Sequence, residues 1–179
     1  MLERSSSIWI SLLYFAFAQE LVNTVDFELV SIAINILWVV AAFWAMEFVA
    51  WFAHKYVMHT FAWSLHVDHH QPKGEFFQKN DWFALIFAIP SWLSMQSGVM
   101  AGGDYRMYIG IGIALYGIAY VSVHEVIIHN RWGSRDKIKH WYFQGLARAH
   151  FTHHKHKEKE DGECFGMLIV PTKFFKTPS

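Results

Sequence analysis

This chain reads as an all-α integral membrane protein: a helical bundle with three transmembrane helices, a fourth helical segment at the N-terminus, and histidine-rich polar helices on one side of the membrane. Three observations carry that reading. The composition is 54% hydrophobic and 18% aromatic, with only 17% charged residues, whereas soluble domains carry about 25% charged. Three apolar runs are long enough to cross about 30 Å of hydrocarbon, which takes about 20 residues. Twelve histidines in 179 residues exceed what core packing or surface decoration uses. The length fits one domain, 1–179. A formal net charge of zero gives no support to nucleic-acid binding. The single cysteine, Cys164, excludes an intrachain disulfide and any multi-cysteine metal site.

In chain order, residues 1–28 form an N-terminal segment to which the sequence assigns no role. Within it, "IWISLLYFAFA" (8–18) is short for a span. Its "AFA" ending is like a signal-peptidase site, but Glu3 offsets Arg4 in the region ahead of it, so we read a short fourth span or interfacial helix. The first long run, "LVSIAINILWVVAAFWAMEFVAWFA" (29–53), leads directly into histidines. The second, "WFALIFAIPSWLSMQSGVMAGG" (82–103), contains Pro90, which should kink a membrane helix rather than end it. The third, "MYIGIGIALYGIAYVSVHEVIIH" (107–129), carries Gly110, Gly112 and Gly117, spaced to let a neighbouring helix approach. Only a few residues around "GDYR" separate the second and third runs, so they form an antiparallel hairpin. All lysines and arginines except Arg4 and Arg106 fall on the histidine-bearing side, which the positive-inside rule places in the cytoplasm.

Ten of the histidines repeat one pattern twice. His54-x4-His59 precedes His66-x2-His69-His70, and His124-x4-His129 precedes His150-x2-His153-His154. At about 100° per residue, His69 and His70 lie roughly 60° and 40° to either side of His66 on a helix. The three rings share a face yet diverge enough to serve two neighbouring ions, and 150–154 repeats that fan. The x4 spacing is awkward, because a regular helix sets His54 and His59 about 140° apart. Either the helix ends, tightens or bulges there, or the two histidines serve different ions. Neutral imidazole is a common metal ligand that suits iron, copper, zinc and nickel. Ten such ligands exceed the coordination of one ion, so two metal ions are expected.

With "MEFVAWFAHKYVMH", "HHQPKGEFFQKND", "VHEVIIHNRW" and "ARAHFTHH", the chain resembles the β-carotene 3-hydroxylases of the membrane fatty-acid hydroxylase and sterol desaturase superfamily. The likeness runs from about Met46 to Leu168, making 46–168 the catalytic core. The resemblance implies an all-helical membrane enzyme with a non-haem di-iron centre at the cytoplasmic face of, for a bacterial protein, the inner membrane. The implied iron ligands are His54, His59, His66, His69, His70, His124, His129, His150, His153 and His154. It further implies a monooxygenase that uses O2 and electrons from a ferredoxin-type donor to hydroxylate C3 of a β-ionone ring, taking β-carotene through β-cryptoxanthin to zeaxanthin. Several features depart from the family. Glu125 stands where Asp is usual, Asp68 stands where Ser is common, and the N-terminal thirty or so residues lack a counterpart in the short bacterial members. His140 and His156 match no family histidine and read as surface residues.

The expected chemistry needs no nucleophile or acid–base pair beyond the metal ligands. Metal-bound His usually donates its second ring N–H to a carboxylate or carbonyl, which makes Glu125, Asp68, Asn80 and Asp81 candidate orienting residues by proximity. Glu47, two turns before His54 and within a span, is a candidate by rarity. Its rise of about 10.5 Å from His54 makes a hydrogen bond to another helix as good a reading as a contact with the imidazole. Trp38, Trp44, Trp51 and Phe52 could line a carotenoid tunnel, but we read them as interface belt and packing. The basic run "RWGSRDKIK" (131–139) reads as a lipid-headgroup contact ahead of a ferredoxin contact. Competing functions are a hydroxylase or desaturase of a fatty acid or sterol, a metal transporter or store, and a bis-histidine haem protein. A transporter would set ionisable ligands along a path through the membrane, and a haem needs far fewer histidines.

Overall fold

The computed structural model describes residues 3–131, 138–155 and 162–176, with the backbone alone for 3–13. Among the described residues there are helices and connecting segments and no strand. Contacts divide the chain into two units, Met1–Leu37 and Trp38–Ser179. The first unit is helical from Glu3 onward, and its described apolar side chains, such as Phe15, Phe17 and Phe27, are exposed. The second unit contains every histidine described below.

Helix α1 runs from Glu3 to Ala53. No Gly or Pro interrupts that stretch, so the segment 8–18 is continuous with the following run and does not form a separate fourth helix. Helix α2 (Trp63–His70) is short and polar. Helix α3 (Trp82–Met100) continues through Pro90, α4 spans Tyr105–Tyr120, and α5 spans Trp141–Lys155. Three stretches, Tyr14–Met58, Lys79–Met100 and Tyr105–Ile128, are long and apolar enough to cross a membrane.

Helices α3 and α4 form the expected hairpin, turned by Gly102 and Gly103 with φ of +88° and +92°, a region open mainly to glycine. Asp104 caps α4 by accepting from the Arg106 amide at 3.0 Å. Close helix approach is visible at two of the three glycines singled out above. A Cβ on Gly110 would strike Met95 and the Ser91 carbonyl, and one on Gly112 would strike the Val39 carbonyl and Ala42 of α1. Gly117 differs, since no atom of the described residues lies within 4 Å of its added Cβ; it borders a cavity instead. Ser91 fastens the hairpin by donating to the Gly110 carbonyl at 2.8 Å.

At their histidine-bearing ends, α1 and α4 both change pitch. His54–Met58 and Val121–Ile128 are π-helical, and each stretch closes on an i→i+5 bond, His59 N to His54 O at 3.1 Å and His129 N to His124 O at 3.0 Å. Past α5, the irregular segment 162–171 returns across the histidine ends and leads into a short 3₁₀ turn, Thr172–Phe175. Its Met167 joins Val123, Ile128, Leu146 and Ala147 in a buried apolar cluster.

Candidate metal centre

The π-helical turns answer the spacing puzzle. An i→i+5 bond sets residue i+5 nearly above residue i, so His54 and His59 lie on one side, with ring centroids 5.0 Å apart. His124 and His129 follow the same geometry at 4.8 Å. In consequence His54 and His59 face a common point, joined there by His66, His70 and His153. A second convergence consists of His69, His129, His150 and His154, and a third, overlapping it through His69, adds His124 and Glu125. Within each group the potential ligand atoms lie within 4.8 Å of one another. The two fans therefore interlock: α2 gives His66 and His70 to the first group and His69 to the second, while α5 gives His153 to the first and His150 and His154 to the second.

The ring nitrogens meet in a manner that neutral imidazoles alone do not satisfy. The Nε2 atoms of His54 and His66 are 3.1 Å apart, those of His66 and His70 3.2 Å, and those of His59 and His153 3.0 Å. In the second group, His129 and His150 approach to 2.7 Å and His69 and His154 to 3.1 Å through Nε2. Several of these rings have their other nitrogen committed as a donor. His54 Nδ1 donates to the Phe165 carbonyl at 3.0 Å, His66 Nδ1 to Asn80 Oδ1 at 2.6 Å, and His153 Nδ1 to the Glu163 carbonyl at 3.1 Å. With the proton on Nδ1, the Nε2 atoms of His54 and His66 present lone pairs to each other. A cation between them relieves that repulsion, and soft-to-borderline imidazole donors suit a transition metal. His124 repeats the arrangement: Nδ1 donates to Glu125 Oε1 at 2.7 Å, and its buried Nε2 has no hydrogen-bond partner among the described residues. The donor set thus fits a pair of metal ions.

Burial keeps seven of the rings neutral. Desolvation pushes His66, His129 and His153 down to about 3 and His154 to about 4, from the ordinary 6.5. His69, His70 and His150 move in the same direction for the same reason, aided by their imidazole neighbours. Neutral imidazole is the form that binds metal.

The expected orienting residues divide into two kinds. Asn80 and Glu125 touch ring nitrogens, as just described. Asp68 and Asp81 depart from that expectation, and Glu47 makes the hydrogen bond to another helix that was its other reading. Asp68 turns away from the rings and accepts from the Lys79 amide at 2.5 Å, because it sits on the outer side of the fan formed by its neighbours. Asp81 pairs with Arg131 at 2.7 Å, and Glu47 reaches Tyr116 and three backbone amides of the 162–171 segment. His140 lies in neither group; its Nδ1 accepts from the Tyr142 amide at the start of α5. His156 and most of 131–139 fall outside the described residues.

Two contributors were not legible in the sequence. Arg131, read there as part of a lipid-facing run, instead bridges Asp81 and Glu125 (2.7 and 3.1 Å) and donates to the Phe76 carbonyl at 2.8 Å. A lone arginine next to a ligand motif was its only signal. The other is the pair of backbone carbonyls, Glu163 and Phe165, which carry no sequence signature at all.

A cavity of about 730 Å³ adjoins the first histidine group, within the range of about 300–1,000 Å³ typical of small-molecule sites. Its walls come from α1, α3 and α4, with Ala84, Phe87, Ile113 and Gly117 along the apolar length. His54, Asn80, Glu125 and Arg131 stand at its polar end. None of Trp38, Trp44, Trp51 or Phe52 lines it.

The sequence profile of the fatty acid hydroxylase family matches residues 39–177. The chain belongs to the fatty acid hydroxylase family. Among curated proteins it is similar to a beta-carotene hydroxylase of Pantoea ananas, with 38% identity over 126 residues, 70% of this chain and 71% of the relative. A beta-carotene hydroxylase of Pseudescherichia vulneris is 35% identical over 137 residues, 76% of this chain and 77% of its own length. A chloroplastic beta-carotene 3-hydroxylase of an Oncidium hybrid cultivar is 36% identical over 127 residues, but the match covers only 41% of that protein. No solved structure matches the chain significantly. As a fatty acid hydroxylase family member the chain is an enzyme of the oxygenase type. All ten paired histidines fall within the span matched by the family profile.

Proposed function

We propose that this hydroxylase is a carotenoid hydroxylase with two non-haem irons. The single observation that carries the reading is the pair of interlocked imidazole groups standing beside an apolar cavity, in a chain whose similar curated proteins bear the name beta-carotene hydroxylase. We assign His54, His59, His66, His70 and His153 to one ion and His69, His124, His129, His150 and His154 to the other. When bound, the irons supply activation of O2 and oxidation of a substrate C–H bond; O2 is the co-substrate and a ferredoxin-type protein the electron donor. The substrate is the β-ionone ring of β-carotene, hydroxylated at C3 to give β-cryptoxanthin and then zeaxanthin. We place the catalytic core at 46–168, within one domain of 1–179, in a bacterial inner membrane with the histidines at the cytoplasmic face.

The residues of the chain bind, orient and exclude water. Phe83, Phe87, Ile113 and Tyr116 offer an apolar surface to a ring and its polyene tail, and the small side chains of Ala84, Ala88 and Gly117 leave room for them. Because the cavity lies among helices apolar enough to span the membrane, a long hydrocarbon need not leave the bilayer to present one ring. Asn80 and Glu125 hold the tautomers of His66 and His124, keeping Nε2 free for metal. Expression in cells that accumulate β-carotene, followed by pigment chromatography, tests the reading. Zeaxanthin and β-cryptoxanthin are expected; unchanged β-carotene despite iron-loaded protein would refute it and favour another lipid.

A further inference from the structure

Glu47 is a buried carboxylate inside a membrane-spanning stretch, and among the described residues its hydrogen bonds go to Tyr116 and backbone amides rather than to an imidazole. Its Oε1 accepts three backbone N–H groups, from Met167 at 2.9 Å, Leu168 at 2.8 Å and Ile169 at 2.9 Å. Its Oε2 accepts the Tyr116 hydroxyl at 2.8 Å. One side chain of α1 therefore binds α4 and the returning C-terminal segment together. That segment is the one whose Phe165 carbonyl takes the His54 Nδ1 proton and whose Glu163 carbonyl takes that of His153. Its Phe165 ring also packs on His54, His59 and His153, with centroids 5.5, 5.3 and 5.0 Å away. All three of those histidines belong to the first group.

We infer that residues 163–169 form a strap that orients the first metal group, and that Glu47 is its clasp, a positioning residue rather than a ligand. The inference rests on the two-ion assignment above and adds an asymmetry to it. In the first group, the strap supplies the carbonyls that orient His54 and His153, while Asn80 orients His66; in the second, His124 is oriented by Glu125, which Arg131 holds independently of the strap. The fit of the clasp is close: a Cβ on Gly166 would lie 2.9 Å from the Ile169 carbonyl and 3.1 Å from Glu47 Oε1. Losing the clasp frees Phe165 and Glu163, leaves the Nδ1 atoms of His54 and His153 without acceptors, and weakens one ion while sparing the other. Orienting partners of metal-bound His are typically worth about 10–100-fold in affinity.

The test is anaerobic titration of metal-free full-length protein with ferrous iron alone, together with hydrogen exchange at Met167, Leu168 and Ile169. Wild type should take two equivalents. Glu47→Ala should bind one of the two about 10–100-fold more weakly and lose amide protection at the three positions. Glu47→Gln, whose side-chain carbonyl still accepts those amides and whose NH2 can meet the Tyr116 oxygen, should behave as wild type. Gly166→Ala, which disturbs the strap without altering α1, should repeat the selective loss and decides the matter if Glu47→Ala does not fold. Two tight equivalents in both Glu47→Ala and Gly166→Ala would overturn the inference, as would equal weakening of both ions or failure of Glu47→Gln. A wild type that does not take two equivalents would refute the two-ion assignment itself, so the two failures are distinguishable.

Discussion

Asn80 shows how much of the centre rests on single hydrogen bonds. Its Oδ1 holds the His66 Nδ1 proton at 2.6 Å, and His66 lies at the middle of the first group, within 3.1–3.2 Å of both His54 and His70 through Nε2. Asn80→Leu should therefore lower metal affinity by about 10–100-fold, measured by competition with a chelator, whereas Asn80→Asp keeps an acceptor and should lose far less. The buried rings also set an acid limit for the metal-free protein. His66, His129 and His153 titrate at about 3 in the fold and His154 at about 4, against 6.5 when exposed. The unfolded chain therefore binds more protons below pH 6.5, so stability is intact above that value and falls as pH drops towards 3. Thermal melts of metal-free protein should show Tm level from pH 8 to 7 and declining steadily from 6.5 downwards. A Tm that rises on acidification would contradict the burial of neutral imidazole.

The two π-helical turns are the devices that make the histidine spacing work. In a regular helix, the x4 pair would point about 140° apart; here the i→i+5 bonds bring His54 over His59 and His124 over His129. Inserting one alanine after Tyr56 should move His59 a further residue, about 100°, round the helix and swing it off the first ion. The expected result is at least a tenfold weaker ion, following the scale of lost ligand support, with helical content by circular dichroism unchanged. The fan spacing of 66-69-70 and 150-153-154 was readable, because helical angles follow from position alone. The choice at x4 was not, since i→i+4 and i→i+5 bonding depend on packing at the helix end. Span positions were likewise legible from apolar runs, while the union of 8–18 with α1 was legible only as the absence of a breaker. The strap escaped detection for a different reason: its orienting atoms are backbone carbonyls, which every residue has. Helix α4 carries a further test. Gly112→Val would drive a side chain into the Val39 carbonyl and Ala42 and should destabilise by about 1–3 kcal/mol, visible as earlier unfolding in detergent.

The second unit joins a hydrocarbon-lined cavity to a polar, imidazole-rich end, and the boundary between them is the functional feature. Gly117 lies on the cavity wall with open space where a side chain would project. Gly117→Leu should fill part of the 730 Å³ without a collision, cutting carotenoid turnover by about tenfold or more while iron content stays at the wild-type level. Unchanged turnover would show that the ring does not enter there. The arrangement explains why the chain uses so many histidines: two fans, one from α2 and one from α5, each contribute to both histidine groups, and the ends of α1 and α4 close the two groups. The most direct check is the iron content of the purified, anaerobically loaded chain, read by elemental analysis alongside absorption spectra. Two irons per chain and no Soret band are predicted. One iron per chain, or binding that survives removal of His54 and His69 together, would contradict the two interlocked groups.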